Sequence, residues 1–321
     1  MAFCNRILKM QIPFFKLMIE ARSILIAGAG GGFDIASGIP IYLYLRNLNK
    51  EVVLANLSFT ELPYTFIKAV CPGVYPVTEE SADLIYFPEK HIFNWLRHKG
   101  ENPIIYGFSK NEMGVLPLVE AYSFIIDKHH IDTLILVDGG TDSLMFGDET
   151  KVGTIVEDAC SITAAAKLRL ENIFLAVIGF GVEHDLNHHA CLENISTLIK
   201  DGQYLGASAL THDMPEGFDY LDLVDYLNKK MYFHESIVTN SVASALSGEF
   251  GDFHPTRRTV GSVQFISAFM SLFWFFRLKG VASRIKFTSF IENSRNMDEV
   301  VKGFQKYRLT NIRRAYQEIP L

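Results

Sequence analysis

The chain has 321 residues, of which 49% are hydrophobic and 21% are charged, and its mean hydropathy is +0.15. This length and composition exclude a disordered or fibrous protein and suit one large α/β domain, alone or with a smaller appendage. Thirty Lys and Arg residues against 36 Asp and Glu residues give a formal charge of -6. No general attraction to nucleic acid or to an anionic membrane is therefore expected.

The N-terminal segment and the cysteines bear on the cellular compartment. Residues 1–22 lack the ordered zones of a secretory signal and predict an amphipathic N-terminal helix. The four cysteines lie far apart without a CxxC spacing, so neither a zinc knuckle nor a disulfide framework is predicted. We expect a cytoplasmic protein with reduced thiols.

Apolar strands and amphipathic helices alternate along the first two thirds of the chain. Strands are predicted at 23–27, 51–57, 102–107, 133–137, 173–178 and 204–210. Helices are predicted at 34–48, 112–128, 156–170 and 192–199. This alternation predicts a Rossmann-like, doubly wound and mainly parallel sheet for residues 23–217.

The C-terminal third has a different pattern. Helices are predicted at 218–231 and 235–246, and residues 218–321 are expected to form a helical extension or cap. The apolar segment 260–276 is slightly shorter than a membrane span and contains four polar residues, so no span is expected. A buried helix or strand pair is favoured there, and the alternative is the interface of a homo-oligomer.

The segment GAGGGFD at residues 28–34 follows the first predicted strand and begins the next helix. Glycines allow close backbone approach, and a helix N-terminus presents N–H groups to an anion. We therefore predict a loop that binds a small anionic ligand, although a purely structural tight turn is the other interpretation. The dinucleotide fingerprint fits less well, because a third glycine and an acidic residue after the second strand are missing. The candidate ligand-binding residues are Gly28, Gly30, Gly31, Gly32 and Asp34.

The segment DGGTDSLMFGDE at residues 138–149 follows the strand predicted at 133–137. Its four carboxylates suit a hydrated Mg²⁺ ion, a ribose diol or a water molecule to be activated. Both loops are expected to line one site at the carboxyl edge of the sheet. The alternatives are a solvated polar turn and a pyrophosphate loop, since GGTDS resembles the loop of ATP pyrophosphatases. We predict Asp138 and Asp142 as metal ligands and catalytic residues, Asp148 as catalytic, and Gly139, Gly140 and Thr141 as ligand-binding residues.

Weaker candidates follow the later strands. Glu183 is a candidate catalytic residue and His184 a candidate ligand-binding residue beyond the strand at 173–178. His212, after the strand at 204–210, is a further ligand-binding candidate. Arg257 and Arg258 are candidates to clamp a carboxylate or phosphate, although a surface pair of arginines is the commoner explanation.

Four motifs together resemble one protein family. They are GAGGGFD at 28–34, DGGTDSLMFGDE at 138–149, GTIVED at 153–158 and GFGVE at 179–183. The chain resembles an uncharacterised family of archaeal and bacterial proteins that is catalogued only as a domain of unknown function. The resemblance covers roughly residues 23–292. It implies a Rossmann-like fold and no particular activity.

The leading hypothesis is an enzyme that acts on a nucleotide-like or phosphorylated small molecule by metal-assisted hydrolysis or group transfer, with Mg²⁺ as its cofactor. Asp148 or Glu183 is the expected general base. One alternative is an NAD(P)-dependent oxidoreductase with a variant glycine fingerprint. The other is a non-catalytic ligand-binding or oligomeric module that uses the segment 260–276.

Overall fold

The computed structural model describes residues 11–319 and has an eight-stranded sheet with helices on both faces. This architecture confirms the predicted Rossmann-like α/β fold. The strands are β1 (Ser23–Gly28), β2 (Glu51–Ser58), β3 (Val74–Val77), β4 (Ile104–Ser109), β5 (Thr133–Gly139), β6 (Asn172–Ile178), β7 (Tyr204–Ala209), β8 (Gly251–Asp252), β9 (Phe265–Ile266) and β10 (Leu272–Arg277). The helices are α1 (Pro13–Glu20), α2 (Asp34–Ser37), α3 (Ile39–Asn47), α4 (Pro88–His98), α5 (Val115–His129), α6 (Ile155–Ala166), α7 (His188–Lys200), α8 (Pro215–Lys230), α9 (Ile237–Leu246), α10 (Leu278–Ala282), α11 (Thr288–Ile291) and α12 (Met297–Thr310).

Five parallel strands form the centre of the sheet, in the order β4-β2-β1-β5-β6. The chain builds outward from β1 through β2 to β4, then returns to the other side of β1 and builds outward again through β5 to β6. The order therefore reverses between β1 and β5, and such a reversal opens the crevice in which open α/β sheets bind ligands. Strand β3 pairs antiparallel with β4 at one edge.

The strands are apolar because helices cover both faces of the sheet. In β5, every residue from Thr133 to Asp138 is buried. One face packs against α5, α6, α7 and the C-terminal helices, and the other packs against α1, α3, α4, α8 and α9. The carboxyl ends of the parallel strands thus carry polar loops above a core that is closed to water.

The C-terminal third contributes to the sheet as well as covering it. The helices predicted at 218–231 and 235–246 correspond to α8 and α9. The apolar segment 260–276 does not form one buried helix: it contains β9, which pairs with β8 in a separate two-stranded sheet, and most of β10, which lies antiparallel between β6 and β7. Among residues 11–319, none of the helices combines the length and the apolar character that crossing a membrane requires.

Helix α1 covers the β10 side of the sheet. The ring of Phe14 stacks on that of Phe275 with centroids 4.0 Å apart, and it meets Phe174 edge to face at 5.9 Å. Phe14 is completely buried, whereas Ile19 on the same helix is 56% exposed. The first ten residues of the helix predicted at 1–22 lie outside the described part of the chain.

Replacing Phe14 tests whether α1 is an integral part of the fold. We expect Phe14→Ala to lower the free energy of unfolding by about 3–5 kcal/mol, because a buried ring leaves a cavity when it is truncated. Urea unfolding followed by circular dichroism measures the loss. The control Ile19→Ala, on the exposed face of the same helix, should change stability by less than about 0.5 kcal/mol. Equal losses in the two variants would contradict this packing.

Candidate functional site

Asp34 connects the two loops that meet at the switch point between β1 and β5. Its Oδ2 accepts hydrogen bonds from the backbone N–H groups of Gly30 at 2.6 Å and Gly31 at 2.9 Å. Its Oδ1 accepts from the N–H of Gly139 at 3.1 Å, at the end of β5 where the second loop begins. The two loops predicted to share one site therefore do lie side by side, joined by a single buried carboxylate.

The glycine loop is shaped by this contact and by its close approach to other groups. Gly31 has φ = +89°, and a Cβ atom there would lie 2.4 Å from the carbonyl oxygen of Leu57. A Cβ at Gly30 would lie 2.7 Å from a carboxylate oxygen of Asp158. The N–H of Gly32 donates to the oxygen of Leu57 at 3.0 Å. All three N–H groups that the sequence assigned to an anion are thus engaged within the protein.

Three buried carboxylates converge beneath these loops. One oxygen from each of Asp34, Asp138 and Asp158 lies within 4.8 Å of the other two. Asp34 follows β1, Asp138 belongs to the end of β5, and Asp158 lies in the first turns of α6. We call these three residues the acidic cluster. Three carboxylates at this spacing match the oxygen ligands that Mg²⁺ and Ca²⁺ take in proteins.

Asp158 is the member that sequence reasoning missed as a site residue. It lies within the motif GTIVED, but its place on an Ala-rich helix gave no sign that it faces the loops. The side chain is 2% exposed, and its Oδ1 has no hydrogen-bond partner among the described residues. The sequence offered only an indirect signal of its role, which is the presence of an acidic residue on the otherwise apolar face of α6.

Asp142, predicted as a metal ligand, has a different environment. Its Oδ2 accepts from the N–H of Thr154 at 2.7 Å and from the Thr154 hydroxyl at 2.8 Å. Thr154 immediately precedes α6, so these bonds fix the start of the helix that carries Asp158. Asp142 is buried next to the acidic cluster but is not one of its three converging residues.

Burial makes the charged state of the cluster unfavourable. It raises the pKa of Asp34 to about 7, against the lowering effect of the hydrogen bond from Gly139, while the negative charge of Asp142 adds to the increase. Burial and the charges of neighbouring carboxylates raise the pKa of Asp138 and that of Asp158 well above the ordinary value. Within residues 11–319, no Lys, Arg or His forms an ion pair with any of the three.

Glu183 approaches the cluster from the loop after β6. Its carboxylate accepts from the backbone N–H of Thr141 at 3.2 Å. A Cβ on Gly140 would lie 2.4 Å from Glu183 Oε1 and 3.2 Å from Asp138 Oδ1, so both carboxylates flank that glycine. Burial, followed by the charges of Asp142 and Asp138, raises the pKa of Glu183 well above its usual range.

Asp148 lies apart from these acids because it is paired with the C-terminal segment. Arg314 donates to the carboxylates of Asp148, Glu149 and Glu193. Glu149, which is fully buried, also accepts from the N–H groups of Phe146 and Gly147 at 2.8 Å each. These two acids are therefore paired with the cation Arg314, whereas no member of the acidic cluster has such an ion pair among residues 11–319.

The two predicted histidines are both exposed and are not members of the acidic cluster. His184 is exposed in the loop that follows β6. The His212 side chain is 62% exposed beyond β7, where it contacts Asp213. Strand β7 is the edge strand, separated from β5 by β6 and β10. The carboxyl edge of the parallel strands extends across much of the sheet. Among the described residues, the acidic cluster lies at its centre, next to β1 and β5.

A cavity of about 550 Å³ opens above Asp34. Its lining also includes Gly31, Gly32 and Gly139 from the two central loops, and Thr154 from the start of α6. Residues from the α8–α9 connection and α9 form another part of the wall. A second cavity of about 400 Å³ lies under α1, but it contains no member of the acidic cluster.

The cavity has groups that suit an anion. The residues Ile237 and Val238, in the first turn of α9, line the wall. Helix N-termini carry N–H groups without an intrahelical acceptor, and here only Thr239 N is capped, by the hydroxyl of Ser236. Arg258 also lines the cavity; its Nη1 donates to the carbonyl of Glu235 at 2.7 Å, and no carboxylate within the described residues pairs with it.

These features define a Rossmann-like α/β protein with buried carboxylates at its switch point. The chain belongs to the protein family of unknown function DUF1152, whose model matches residues 91–311. This match confirms the resemblance inferred from the motifs. It begins after the glycine loop, whereas the motif resemblance extended from about residue 23. No curated protein and no solved structure matches the chain.

The raised pKa values make stability depend on pH in the metal-free protein. A carboxyl group whose pKa is higher in the folded state contributes stability below its unfolded value, and this contribution is lost as the pH rises through the folded value. For Asp34 the loss runs from about pH 4 to about pH 7. We expect Asp158→Asn to raise the melting temperature at pH 8 by about 2–4 °C, because it removes a carboxyl group whose charge is disfavoured by burial and by the neighbouring carboxylates, a gain of about 1 kcal/mol.

Calorimetry in EDTA at pH 5 and pH 8 measures this effect. The gain should be larger at pH 8, where more of the neighbouring carboxyl groups are charged. The control is Asp225→Asn, whose side chain is 62% exposed and paired with Lys229, and it should show no such gain. A melting temperature of Asp158→Asn below that of the wild type at pH 8 would contradict the expectation that the Asp158 carboxyl group lowers the stability of the metal-free protein.

Proposed function

We propose that the protein is a metal-dependent enzyme that hydrolyses, or transfers a group from, a nucleotide-like or other phosphorylated small molecule. The observation that carries this proposal is the convergence of Asp34, Asp138 and Asp158 within 4.8 Å, buried and without a basic partner among the described residues. Buried charges are normally paired or bound to a metal. Backbone N–H groups donate to Asp34 and Asp138, but no basic side chain among residues 11–319 pairs with the three carboxylates, and a divalent cation would compensate their charge.

The groups in the cavity wall that suit an anion support a phosphorylated substrate. The N–H groups of Gly30 and Gly31 already donate to Asp34, so in this proposal the glycine loop orients a metal ligand instead of binding phosphate. The phosphate is bound by Arg258 and the N-terminal turn of α9, both in the wall of the cavity that includes Asp34. A bound cation would polarise the phosphoryl group and neutralise charge that develops on it.

Glu183 is the proposed general base, and Asp148 is not, since Arg314 pairs with the latter. Burial and the charges of Asp142 and Asp138 raise the pKa of Glu183, which makes its carboxylate a stronger base. In hydrolysis, the water oxygen forms a bond to phosphorus as its proton passes to Glu183. The bond from phosphorus to the leaving oxygen breaks, and that oxygen takes up a proton from solvent, to which Glu183 later returns the proton it accepted.

A dinucleotide-dependent oxidoreductase has less support. In that class an acidic residue after the second strand binds the ribose hydroxyls. Here Asn56 stands near the end of β2, fully buried, and its Nδ2 donates to Glu89 at 2.7 Å and to the carbonyl of Gly32 at 2.8 Å. The corresponding position is thus engaged in holding the glycine loop.

Metal binding gives the first test. We expect Mg²⁺ or Mn²⁺ to raise the melting temperature of the wild type, since a ligand at about 100 times its dissociation constant adds about 2.7 kcal/mol of stability. Asp138→Asn should abolish this increase and also the metal-dependent release of phosphate from a panel of nucleotides and sugar phosphates. Thermal-shift assays and phosphate detection provide the two readouts.

The matched control is Glu89→Gln, which neutralises a different buried carboxyl group near the site. Glu89 is fully buried and its pKa is raised, mainly by burial, yet it does not belong to the acidic cluster. It should keep the metal response. Retention of that response and of turnover in Asp138→Asn would refute the proposal.

Arg258 gives an independent test of the phosphate position. We expect Arg258→Gln to weaken binding of phosphorylated ligands about 10- to 100-fold, because a hydrogen bond to a charged group contributes about 1.5–3 kcal/mol. Isothermal titration calorimetry in the presence of Mg²⁺ measures the change. Arg257→Gln is the control, because that neighbouring arginine does not line the cavity. Equal effects of the two changes would exclude a specific contact.

A further inference from the structure

The cavity is larger than a metal ion and one phosphate group need. Its volume of about 550 Å³ lies in the range of sites that hold whole small molecules. Besides its charged end, the cavity has four aromatic residues in its lining: Phe33, Phe59, Tyr86 and Phe233. We call these four residues the aromatic wall.

Phe233 is the most unusual member of the wall. It is 71% exposed, and its φ of 81° is a conformation that bulky residues rarely adopt. Such strain persists only where the surroundings impose it, and exposure of a large apolar ring contributes little to stability. Tyr232 packs edge to face against the ring, with centroids 4.5 Å apart. The α8–α9 connection thus places at the cavity an aromatic ring that contributes little to the stability of the fold.

The other rings are fixed in place by neighbours. Phe59 follows the end of β2, and the ammonium group of Lys110 lies 4.2 Å from its ring centroid. Tyr86 meets Phe33 edge to face at 5.7 Å and the ring of His234 at 5.8 Å. Rings held by such contacts are preorganised, so a flat ligand can pack against them at a low entropic cost.

We propose that the substrate is a nucleoside phosphate, whose base packs against the aromatic wall while its phosphate meets Arg258. This inference rests on the proposed function and specifies its substrate class. Base stacking on aromatic side chains is favourable for every base, since each has a π face. The wall and Arg258 line the same cavity, so one ligand with an aromatic ring at one end and a phosphate at the other satisfies both.

Binding of matched probes tests the proposal. Equilibrium dialysis with MgCl₂ compares the four ribonucleoside 5′-monophosphates with ribose 5-phosphate, which lacks only the base. We expect at least one nucleotide to bind the wild type about 10-fold more tightly than ribose 5-phosphate, as one stacked base can provide. Phe233→Ala should abolish this preference without changing the affinity for ribose 5-phosphate, and Phe233→Tyr should retain it.

Phe66→Ala is the matched control. Phe66 is also an exposed phenylalanine with a positive φ, of 62°, but it does not line the cavity. It should leave the preference intact. Equal affinities of the wild type for nucleotides and ribose 5-phosphate would overturn the nucleoside inference and leave the proposed function standing. An unchanged preference for nucleotides over ribose 5-phosphate in Phe233→Ala would likewise overturn the nucleoside inference and leave the proposed function standing. Absence of binding by all five phosphorylated probes would overturn both proposals.

Discussion

The carboxylate of Asp34 is the constraint on which the arrangement of the site depends. It accepts hydrogen bonds from N–H groups in the loop after β1 and at the end of β5, where the order of the parallel strands reverses. These hydrogen bonds favour the charged form, while burial disfavours it, and the pKa of about 7 reflects that balance. The same carboxylate lines the cavity and belongs to the acidic cluster.

Two sets of buried acids differ in how their negative charge is compensated. Glu149 is fully buried but receives hydrogen bonds from two backbone N–H groups, Asn194 and Arg314, so its charge is compensated within the fold. Among residues 11–319, no basic side chain pairs with the acidic cluster and Asp158 Oδ1 has no hydrogen-bond partner. Partnered acids stabilise a structure, whereas uncompensated ones reduce its stability and are often retained at functional sites. This contrast is the physical basis of the proposed metal site.

Sequence periodicity predicted the parallel core and the helices α5, α6, α8 and α9, and it missed elements at one edge of the sheet and near the C-terminus. The strands at β1, β2, β5 and β6 agree with prediction to within two residues at either end, because each is a short apolar run bounded by polar residues. Strand β3 and helix α4 were missed, and β10 was recognised only as part of an apolar segment. The residues of β10 pair with β6 and β7, far away in sequence, and no local pattern encodes such a partner.

The fold class and the two central loops follow from the sequence alone, because glycines and carboxylates after apolar strands must lie at the carboxyl edge of a parallel sheet. Which acids converge depends on tertiary packing, which places Asp158 from α6 beside Asp34 and Asp138 and pairs Asp148 with Arg314. The tertiary structure also shows that Asp34 occupies the N–H groups of Gly30 and Gly31. The reason is that the local sequence fixes where a residue lies along its own strand or helix. The residues that its side chain contacts depend on how elements distant in the sequence pack together.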